Sequence, residues 1–291
     1  MSSRPILVIG ASGAVGRPTI RHLVARGATI RALTSNKASA ERLREAGVVE
    51  TVEGDLRNSA DLARALAGVG AVLFNSPRFI ADETEIGRSA ITLAREAGVE
   101  RFVLNSVLHP ELADLPHHVN KLRNQQCLIE SGLDFAILQP AMFMQNLRVE
   151  WPRIQREGIY ARPYSPDRPM ALVDTDDLGE AAATVLLDPA LIGGTYELCG
   201  PEPLTQAQMA AIIAEELGRP VSATRRDLAE WRNWAQANGW TPWAVETFAA
   251  MCTHYDRHGY AGGNPLVLEA ILGRPATSYR DFVRRFLRDN V

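Results

Sequence analysis

The sequence predicts an α/β fold in which a doubly wound parallel sheet carries a smaller, mostly helical C-terminal region. Three observations support this fold class: short apolar runs alternate with amphipathic stretches as far as Pro140, a glycine-rich turn follows the first apolar run, and the chain has a helical pattern from Leu228 to its end. Parallel neighbours in a sheet need crossover connections, which are usually helices. The alternation therefore predicts a parallel sheet with helices on both faces.

The predicted strands and helices alternate from the N-terminus onwards. Short runs rich in Val, Ile and Leu are typical of buried strands, and the longer stretches between them have helical periodicity. Helices are expected over residues 14–26, 38–46, 59–67, 85–97 and 119–131. The six predicted strands are ILVIG, TIRALT, VVETVEG, AVLFNSP, RFVLNSV and DFAILQP.

The regular alternation stops after Pro140. Loops and short strands are expected next, because Trp151 and several prolines punctuate this stretch. Two later segments are predicted to return to the main body, ALVDTDDLGEAAATVLL as a helix and GTYELCG as a strand. Thr205 and Gln208 have the spacing of a capping box that starts a helix running through Leu217. The prolines are Pro152, Pro163, Pro166 and Pro169.

Composition and charge exclude several classes of protein. The chain has 291 residues, is 46% hydrophobic and carries a formal net charge of −3, with its basic residues scattered, so we expect no nucleic-acid partner. It has no apolar stretch long enough to span a bilayer, and its start runs directly into a strand without a signal-peptide pattern; we expect no membrane association and a cytoplasmic location. Cys127, Cys199 and Cys252 are expected to be free thiols.

The glycines of GASGAVG lie between the first strand and the first helix. Glycine lets the backbone turn tightly and approach a pyrophosphate, which then lies at the positive N-terminus of the helix. This context predicts a Rossmann-type NAD(P)-binding domain over residues 1–150, to which residues 170–200 return, and a mainly substrate-binding region over residues 151–291. The predicted contacts of the turn are Gly10, Ser12, Gly13, Ala14, Val15 and Gly16.

The end of the second strand predicts which dinucleotide is bound. An acidic side chain there would bind the 2′-hydroxyl of NAD and repel a 2′-phosphate. This chain has no carboxylate before Glu41, and its hydroxyl, amide and cationic groups suit a phosphate, so the sequence predicts NADP(H). Lys37 as a solvated surface lysine remains the alternative. The predicted contacts are Arg31, Thr34, Ser35, Asn36 and Lys37.

Small polar residues end the next strands, at the edge where doubly wound sheets hold ligands. Asp55, followed by Leu56, is expected either to accept a hydrogen bond from the adenine amino group or to cap the next helix. Both alternatives remain open. The predicted lining of the nicotinamide site is Asn75, Ser76, Pro77, Asn105, Ser106, Pro140 and Phe143.

Several blocks together resemble the NmrA-like group of atypical short-chain dehydrogenase/reductases. They are GASGAVGRP, the GD at 54–55, HHVNK at 117–121, SGLDFAILQPAMFMQN, VDTDDLGEAAATVLLDP and YELCGPEPLT, and the resemblance extends to the GRPATSYRDFVRRF ending. It implies an NAD(P)-binding fold whose small C-terminal region closes over a cleft. Members of this group include NADPH-dependent quinone or dye reductases, isoflavone-reductase-like enzymes and non-catalytic sensors of nucleotide or redox state.

The HHVNK segment stands where classical short-chain dehydrogenases carry Tyr-x-x-x-Lys, so the tyrosine acid is absent. By this resemblance Lys121 would hold the nicotinamide ribose and supply positive charge; an ordinary lysine at a helix start is the alternative. His117 is a candidate proton donor near neutral pH. The alternative is a structural or solvent-facing histidine. We interpret Asp174, Asp176 and Asp177 as a helix start rather than a metal site.

The sequence favours an NADPH-dependent oxidoreductase that transfers a hydride to a small conjugated carbonyl, a quinone or a related acceptor. The apolar and amide groups of Phe143, Met144, Gln145 and Asn146 suit a flat, weakly polar substrate, although Phe143 and Met144 as core residues remain the alternative. A non-catalytic NADP(H)-sensing regulator is the second hypothesis. Four tryptophans lie close together in the sequence, at Trp231, Trp234, Trp240 and Trp243. Three alternatives remain open for this tryptophan cluster: a lid, a packing surface or a homodimer interface.

Overall fold

The computed structural model describes residues 4–290, and a seven-stranded parallel sheet lies at their centre. The spatial order of its strands is β3-β2-β1-β4-β5-β6-β10. Two separate two-stranded sheets pair β8 with β11 and β7 with β9. The strand bounds are β1 Ile6–Ile9, β2 Ile30–Thr34, β3 Glu50–Glu53, β4 Ala71–Phe74, β5 Arg101–Asn105, β6 Phe135–Pro140, β7 Met142–Phe143, β8 Ile159–Arg162, β9 Leu172–Val173, β10 Thr195–Leu198 and β11 Ser222–Arg225.

Helices cover both faces of the large sheet and build the C-terminal region. Their bounds are α1 Gly16–Ala25, α2 Lys37–Glu45, α3 Ser59–Leu66, α4 Glu83–Glu96, α5 Pro116–Ile129, α6 Leu147–Glu157, α7 Thr175–Leu187, α8 Gln206–Leu217, α9 Leu228–Ala237, α10 Pro242–His258, α11 Leu266–Leu272 and α12 Tyr279–Asn290. Within residues 4–290, no helix is long and apolar enough to cross a membrane.

Alternate side chains of the central strands point to two different cores. In β1, Ile6 and Val8 belong to a core that includes residues of α1 and α7, whereas Leu7 and Ile9 belong to a core on the other face with α3 and α4. Strands buried on both faces need continuous apolar runs, as the ILVI of β1 and the AVLF of β4 provide. The predicted fold class, a Rossmann-type doubly wound sheet, is confirmed.

The strand order reverses between β1 and β4, because the chain runs outwards to β3 and then returns to the other side of β1. In open α/β sheets, ligands bind outside the carboxyl ends of the strands at such a switch point. The glycine turn follows β1, and Asn75 follows β4. The fold therefore brings two segments predicted from the sequence to the same place.

The stretch after Pro140 differs from its prediction, since residues 147–157 form a helix, α6, rather than loops and short strands. Pro152 lies inside this helix, where a proline costs on the order of 3 kcal/mol. Leu147, Trp151 and Ile154 are buried on one face of α6 in a third core with α8 and α12. This burial offsets the proline penalty, which the residue pattern alone did not reveal.

Two helix starts follow their predicted chemistry. Thr205 and Gln208 form the reciprocal capping box of α8, as predicted. Asp174 caps α7 by accepting a hydrogen bond from the backbone of Asp176, which confirms the interpretation of this acidic segment as a helix start. Within residues 4–290, no group of three or more His, Cys, Asp and Glu side chains is arranged to hold a metal ion.

Candidate functional site

The glycine turn after β1 approaches the end of β4 too closely for any side chain. Gly10 has φ +72°, and a Cβ at this position would lie 2.6 Å from the carbonyl oxygen of Asn75. A Cβ at Gly16 would lie 2.3 Å from the carbonyl oxygen of Gly10. No side chain caps the start of α1 at Val15, so its first backbone N–H groups keep no side-chain acceptor. This turn has the geometry that an anion at a helix N-terminus requires.

The residues at the end of β2 divide into structural and exposed groups. Thr34 is buried, and the side chain of Asn36 caps α2 by accepting a hydrogen bond of 2.9 Å from the backbone of Ser39. Ser35 and Lys37 are exposed, and Lys37 forms no ion pair with any residue in the described part of the chain. Lys37 therefore remains a candidate for a phosphate contact, while Asn36 already has a structural role.

Arg31 does not join the other predicted contacts. It is the second residue of β2 and pairs in the sheet with Leu7, away from the carboxyl end of the strand. Its guanidinium forms an ion pair of 2.7 Å with Glu50 and donates to the carbonyl oxygens of Ala65 and Ala67. These partners hold the guanidinium away from the carboxyl edge of the sheet, so Arg31 is not part of the candidate site.

Asp55 is exposed after β3, and it does not cap the following helix. Its carboxylate accepts a hydrogen bond of 2.9 Å from the backbone of Arg57. The cap of α3 is Asn58, whose side chain accepts from the backbones of Ala60 and Asp61. The capping alternative for Asp55 is thus wrong, and a contact with adenine stays a prediction for it. Leu56 packs partly buried against the core, and Pro77 is exposed.

Two asparagines end β4 and β5 with unpartnered oxygen atoms. Asn75 donates from Nδ2 to the carbonyl oxygen of Ile9 at 2.9 Å, and its Oδ1 is buried without a hydrogen-bond partner. The Oδ1 atom of Asn105 is buried and unpartnered as well. Ser106, next in the chain, accepts a hydrogen bond from Gln125 of α5. The carboxyl edge of the sheet thus presents acceptors that the protein itself leaves unsatisfied, which costs free energy unless donors reach them.

Lys121 is buried at this edge and all three of its N–H groups have partners. Its Nζ lies 2.9 Å from Oε1 of Glu83, donates to Oγ of Ser76 at 2.6 Å, and lies 3.4 Å from the carbonyl oxygen of Asn105. The side chain is 5% exposed and that of Glu83 is fully buried. The structure therefore brings Lys121, Ser76 and Asn105 together, as the sequence predicted, and adds Glu83.

Sequence reasoning missed Glu83 because it placed the start of α4 at residue 85. The helix starts at Glu83 itself, and the Ser76 hydroxyl also donates to its Oε1 at 2.6 Å. Burial alone would raise the pKa of the Glu83 carboxyl, but the Lys121 charge, His117 and the Ser76 hydrogen bond outweigh it and lower this pKa to about 2. A buried lysine needs a carboxylate, but neither the burial of Lys121 nor the packing of α4 on α5 was predicted from the sequence.

His117 lies on the first turn of α5, whose start at Pro116 precedes the predicted one. Its Nδ1 is 3.5 Å from Oε2 of Glu83, longer than a hydrogen bond, and both atoms are buried without a partner. Burial lowers the pKa of His117, and the Lys121 charge adds to this effect, while Glu83 opposes it. His117 is therefore neutral near pH 7, which argues against an imidazolium as the proton donor, one of the two alternatives that the sequence left open for this residue.

The segment after β6 contributes less to the cleft than its sequence predicted. Met144 is buried in the core, and Gln145 is occupied at the start of α7, where it donates to Asp174 and accepts from the backbone of Thr175. Pro140 is buried at the end of β6. Phe143 is only partly buried and lines a small cavity. The same cavity is lined by Asn146 and by three residues that the sequence did not indicate, Arg162, Tyr164 and Tyr279.

An aromatic cluster connects the C-terminal helices to the site. Trp231, Trp240 and Phe248 pack together, with Trp231 and Phe248 at 4.5 Å between ring centroids. Phe79, in the loop after β4, contacts Trp240 at 6.0 Å and His117 at 5.1 Å. Phe79 also has φ +57°, a left-handed conformation that costs of order 1–3 kcal/mol in a residue other than glycine. Trp234 and Trp243 lie outside this cluster and are exposed.

The fold and the site define a protein of the dinucleotide-binding α/β type, and the profile of the NmrA-like family matches residues 2–277. The chain belongs to the NmrA-like family, and the resemblance of its blocks to that group is confirmed.

The relatives that match almost the whole length of both chains include two named reductases. One is the (4-alkanoyl-5-oxo-2,5-dihydrofuran-3-yl)methyl phosphate reductase of Streptomyces griseus, which is 32% identical over 95% of this chain and 96% of its own. The other is the NAD(P)H azoreductase of Xenophilus azovorans, which is 28% identical over 96% of each chain.

Solved structures show the same fold. The NADPH-dependent quinone oxidoreductase of Escherichia coli complexed with NADPH has a TM-score of 0.84 at 24% identity, covering 97% of this chain and 99% of the other. NmrA, a negative transcriptional regulator in complex with NAD, has a TM-score of 0.80 at 17% identity, covering 99% and 97%. The same fold thus occurs in a reductase and in a regulator, so the fold does not decide between the two functions.

Proposed function

We propose that this chain is an NADP(H)-dependent reductase that transfers a hydride to a small conjugated carbonyl, a quinone or a related acceptor. The observation that carries the proposal is the buried ion pair of Lys121 with Glu83 at the carboxyl edge, beside the glycine turn. Two near full-length relatives named as reductases support it, one of them an NAD(P)H azoreductase.

The residues present fit a dinucleotide at three places. The turn at Gly10 and Gly16 leaves no room for a Cβ, and the start of α1 has no side-chain cap, so the backbone is open to a pyrophosphate. The unpartnered oxygen atoms of Asn75 and Asn105 would accept hydrogen bonds from the carboxamide or the ribose hydroxyls. Lys37, exposed at the end of β2, would bind the 2′-phosphate.

The reduced nicotinamide would supply the hydride when bound. The protein would position the reactants in a site of balanced charge. The positive charge of Lys121 and the negative charge of Glu83 balance each other, and His117 is neutral. A buried site without net charge favours a neutral acceptor over an anionic one. Phe79 and Phe143, both partly buried, would offer apolar surface to a flat, weakly polar molecule.

The proton that completes the reduction of a carbonyl or quinone needs a source other than an imidazolium. His117 is neutral near pH 7, since burial lowers its pKa. Water at the cleft is the remaining source that needs no charged donor. We therefore propose that protonation of the reduced acceptor occurs from solvent, with Lys121 acting on charge and position alone.

A non-catalytic NADP(H)-sensing regulator is the second candidate, and one observation favours it. All three N–H groups of Lys121 already have partners within the protein, so it has no donor free for a substrate or a ribose hydroxyl. The longest of these contacts, 3.4 Å to the carbonyl of Asn105, is the one a ligand would replace most easily. In a regulator, this contact between Lys121 and Asn105 would stay unchanged.

A binding and turnover screen separates the two candidates. Calorimetry with NADPH and NADH tests the dinucleotide site, and NADPH oxidation is then followed over a panel of quinones, azo dyes and enones. Turnover of at least one acceptor supports the reductase. Binding of NADPH without oxidation over the whole panel supports the regulator, and failure to bind either dinucleotide contradicts both.

A further inference from the structure

Glu83 is the one fully buried carboxylate in contact with Lys121 among residues 4–290, and its place is fixed from two sides. Its carbonyl oxygen accepts a hydrogen bond of 3.2 Å from Nδ2 of Asn124, one turn beyond Lys121 on α5. Its carboxylate accepts from Lys121 and from Ser76. The backbone and the side chain of Glu83 are thus held by the same pair of structural elements.

The close approach of α4 and α5 depends on a glycine. A Cβ at Gly87, one turn after Glu83 on α4, would lie 2.3 Å from Oδ1 of Asn124. Thr84 also donates to Asn120 across the same contact at 3.3 Å. Because the helices meet this closely, the carboxylate of Glu83 reaches Nζ of Lys121 without solvent between them.

Among residues 4–290, Glu83 is the only acid that forms an ion pair with Lys121. His117 on the same helix and Arg78, which is exposed in the loop after β4, also act on this part of the site, and neither is an acid. Lys121 itself is 4% exposed. An ammonium group buried without an anion is strongly disfavoured relative to its neutral form.

We propose that Glu83 is the positioning residue of this site: it keeps Lys121 charged and holds its ammonium against Ser76 at the carboxyl edge of the sheet. Its effect on turnover rests on the proposed function, whereas its effect on the charge of Lys121 does not. Glu83 acts through Lys121 and touches neither dinucleotide nor acceptor in this role.

The same contact anchors the loop that carries Phe79. The Ser76 hydroxyl bridges Lys121 and Glu83, with 2.6 Å to each, and the loop leads from there to the left-handed Phe79. Loss of the negative charge would weaken the hydrogen bond that the Ser76 hydroxyl donates and would remove the counter-charge of Lys121. Substitution of Glu83 should therefore affect both the charge of Lys121 and the loop that carries Phe79.

The chain offers a direct test because it has only two lysines, Lys37 and Lys121. Protein labelled with ¹³C at the lysine Cε gives two signals, and exposed Lys37 serves as the internal reference. In Glu83→Gln, we expect the pH midpoint of the Lys121 signal to fall by about one unit or more relative to wild type, with the Lys37 midpoint unchanged. In Glu83→Asp, the shorter side chain keeps the charge but holds it further from Nζ, so the midpoint should lie between those of Glu83→Gln and wild type.

Glu85→Gln is the matched control, because Glu85 lies on the same turn of α4 and is exposed. Its Lys121 midpoint should equal that of wild type. An unchanged midpoint in Glu83→Gln would overturn the proposal, as would an equal shift in Glu85→Gln. If Glu83→Gln does not fold, Glu83→Asp alone decides: a midpoint below wild type supports the proposal, and an unaltered one contradicts it.

NADPH binding and turnover of the same variants separate this inference from the proposed function. If both hold, Glu83→Gln should lose NADPH oxidation at a pH near its lowered Lys121 midpoint and regain it at lower pH, where Lys121 is protonated. If the NMR midpoint shifts while no variant, nor the wild type, oxidises NADPH with any acceptor, the positioning role stands and the reductase proposal fails.

Discussion

The ring of Phe79 packs edge-on against the imidazole of His117, with 5.1 Å between the ring centroids. Phe79 also contacts Trp240 and Phe248, which belong to the helical C-terminal region. One residue thus connects the Lys121 site of the sheet to the aromatic cluster of α9 and α10. A change at the site can reach these tryptophans through a single side chain.

Tryptophan fluorescence should report this connection. When a turned-over acceptor is added to the NADPH complex, we expect the emission to change, because an acceptor beside Phe79 displaces or shields Trp240. The change should persist in Trp243→Phe, whose ring is 41% exposed and outside the cluster, and disappear in Trp240→Phe. Unchanged emission with a saturating acceptor would support a purely structural packing of the cluster.

Lys37 should set the preference between the two dinucleotides. We expect NADPH to bind more tightly than NADH, and Lys37→Ala to reduce this difference by about 1.5–3 kcal/mol, the usual contribution of a charged hydrogen bond. Calorimetry with both dinucleotides measures it. Arg95→Ala removes an exposed cation from the far end of α4 and should leave the preference as it is. Equal affinities in the wild type would contradict the assignment of the 2′-phosphate site.

Acid should destabilise the fold through Glu83. Its carboxyl pKa is lowered from 4.5 to about 2 in the folded state, so the unfolded chain binds the proton first and stability falls as pH drops from about 4.5 towards 2. The full shift corresponds to about 3 kcal/mol. Buried His118, whose pKa is lowered to about 4, should add a loss that begins below about 6.5. At neutral pH, Glu83 and His118 both make their full contribution to stability.

Denaturant unfolding between pH 7 and pH 3 measures these contributions. Glu83→Gln should flatten the dependence below about pH 4.5, whereas Glu85→Gln should reproduce the wild-type curve. A Glu83→Gln curve that keeps the full wild-type slope would show that the pKa of Glu83 is not lowered by the fold.

Removal of Lys121 alone should destabilise the protein more than removal of the whole pair. Lys121→Met leaves a buried, uncompensated carboxylate at Glu83, and breaking a buried pair in this way costs about 3–5 kcal/mol. The double variant with Glu83→Gln should recover most of that stability. Thermal or denaturant unfolding of the two single variants and the double variant gives the coupling free energy. A coupling near zero would contradict the ion pair.

The sequence predicted the large sheet well, because apolar runs of parallel strands and the helices between them have distinct periods. It failed at α6, where burial of Leu147, Trp151 and Ile154 overrides Pro152. No local pattern reports a tertiary contact of this kind.

The candidate site was predicted where the signal was local and missed where it was not. Lys121 was predicted from the resemblance of HHVNK to the Tyr-x-x-x-Lys segment of short-chain dehydrogenases, and the structure places it with Ser76 and Asn105. Glu83 was missed because it meets Lys121 only through the packing of α4 on α5. Arg31 was included because of its charge, although its register in β2 directs it to Glu50.

In the proposed reaction, hydride leaves NADPH on this protein for a neutral, conjugated acceptor. The most direct measurement is a single-turnover reaction with NADPH and with NADPH deuterated at C4 of the nicotinamide, each followed by absorbance after mixing with the best acceptor of the screen. We expect oxidation with a primary isotope effect, and a rate that changes little between about pH 7 and pH 8, since burial lowers the pKa of His117. Tight binding of NADPH without oxidation by any acceptor would contradict it.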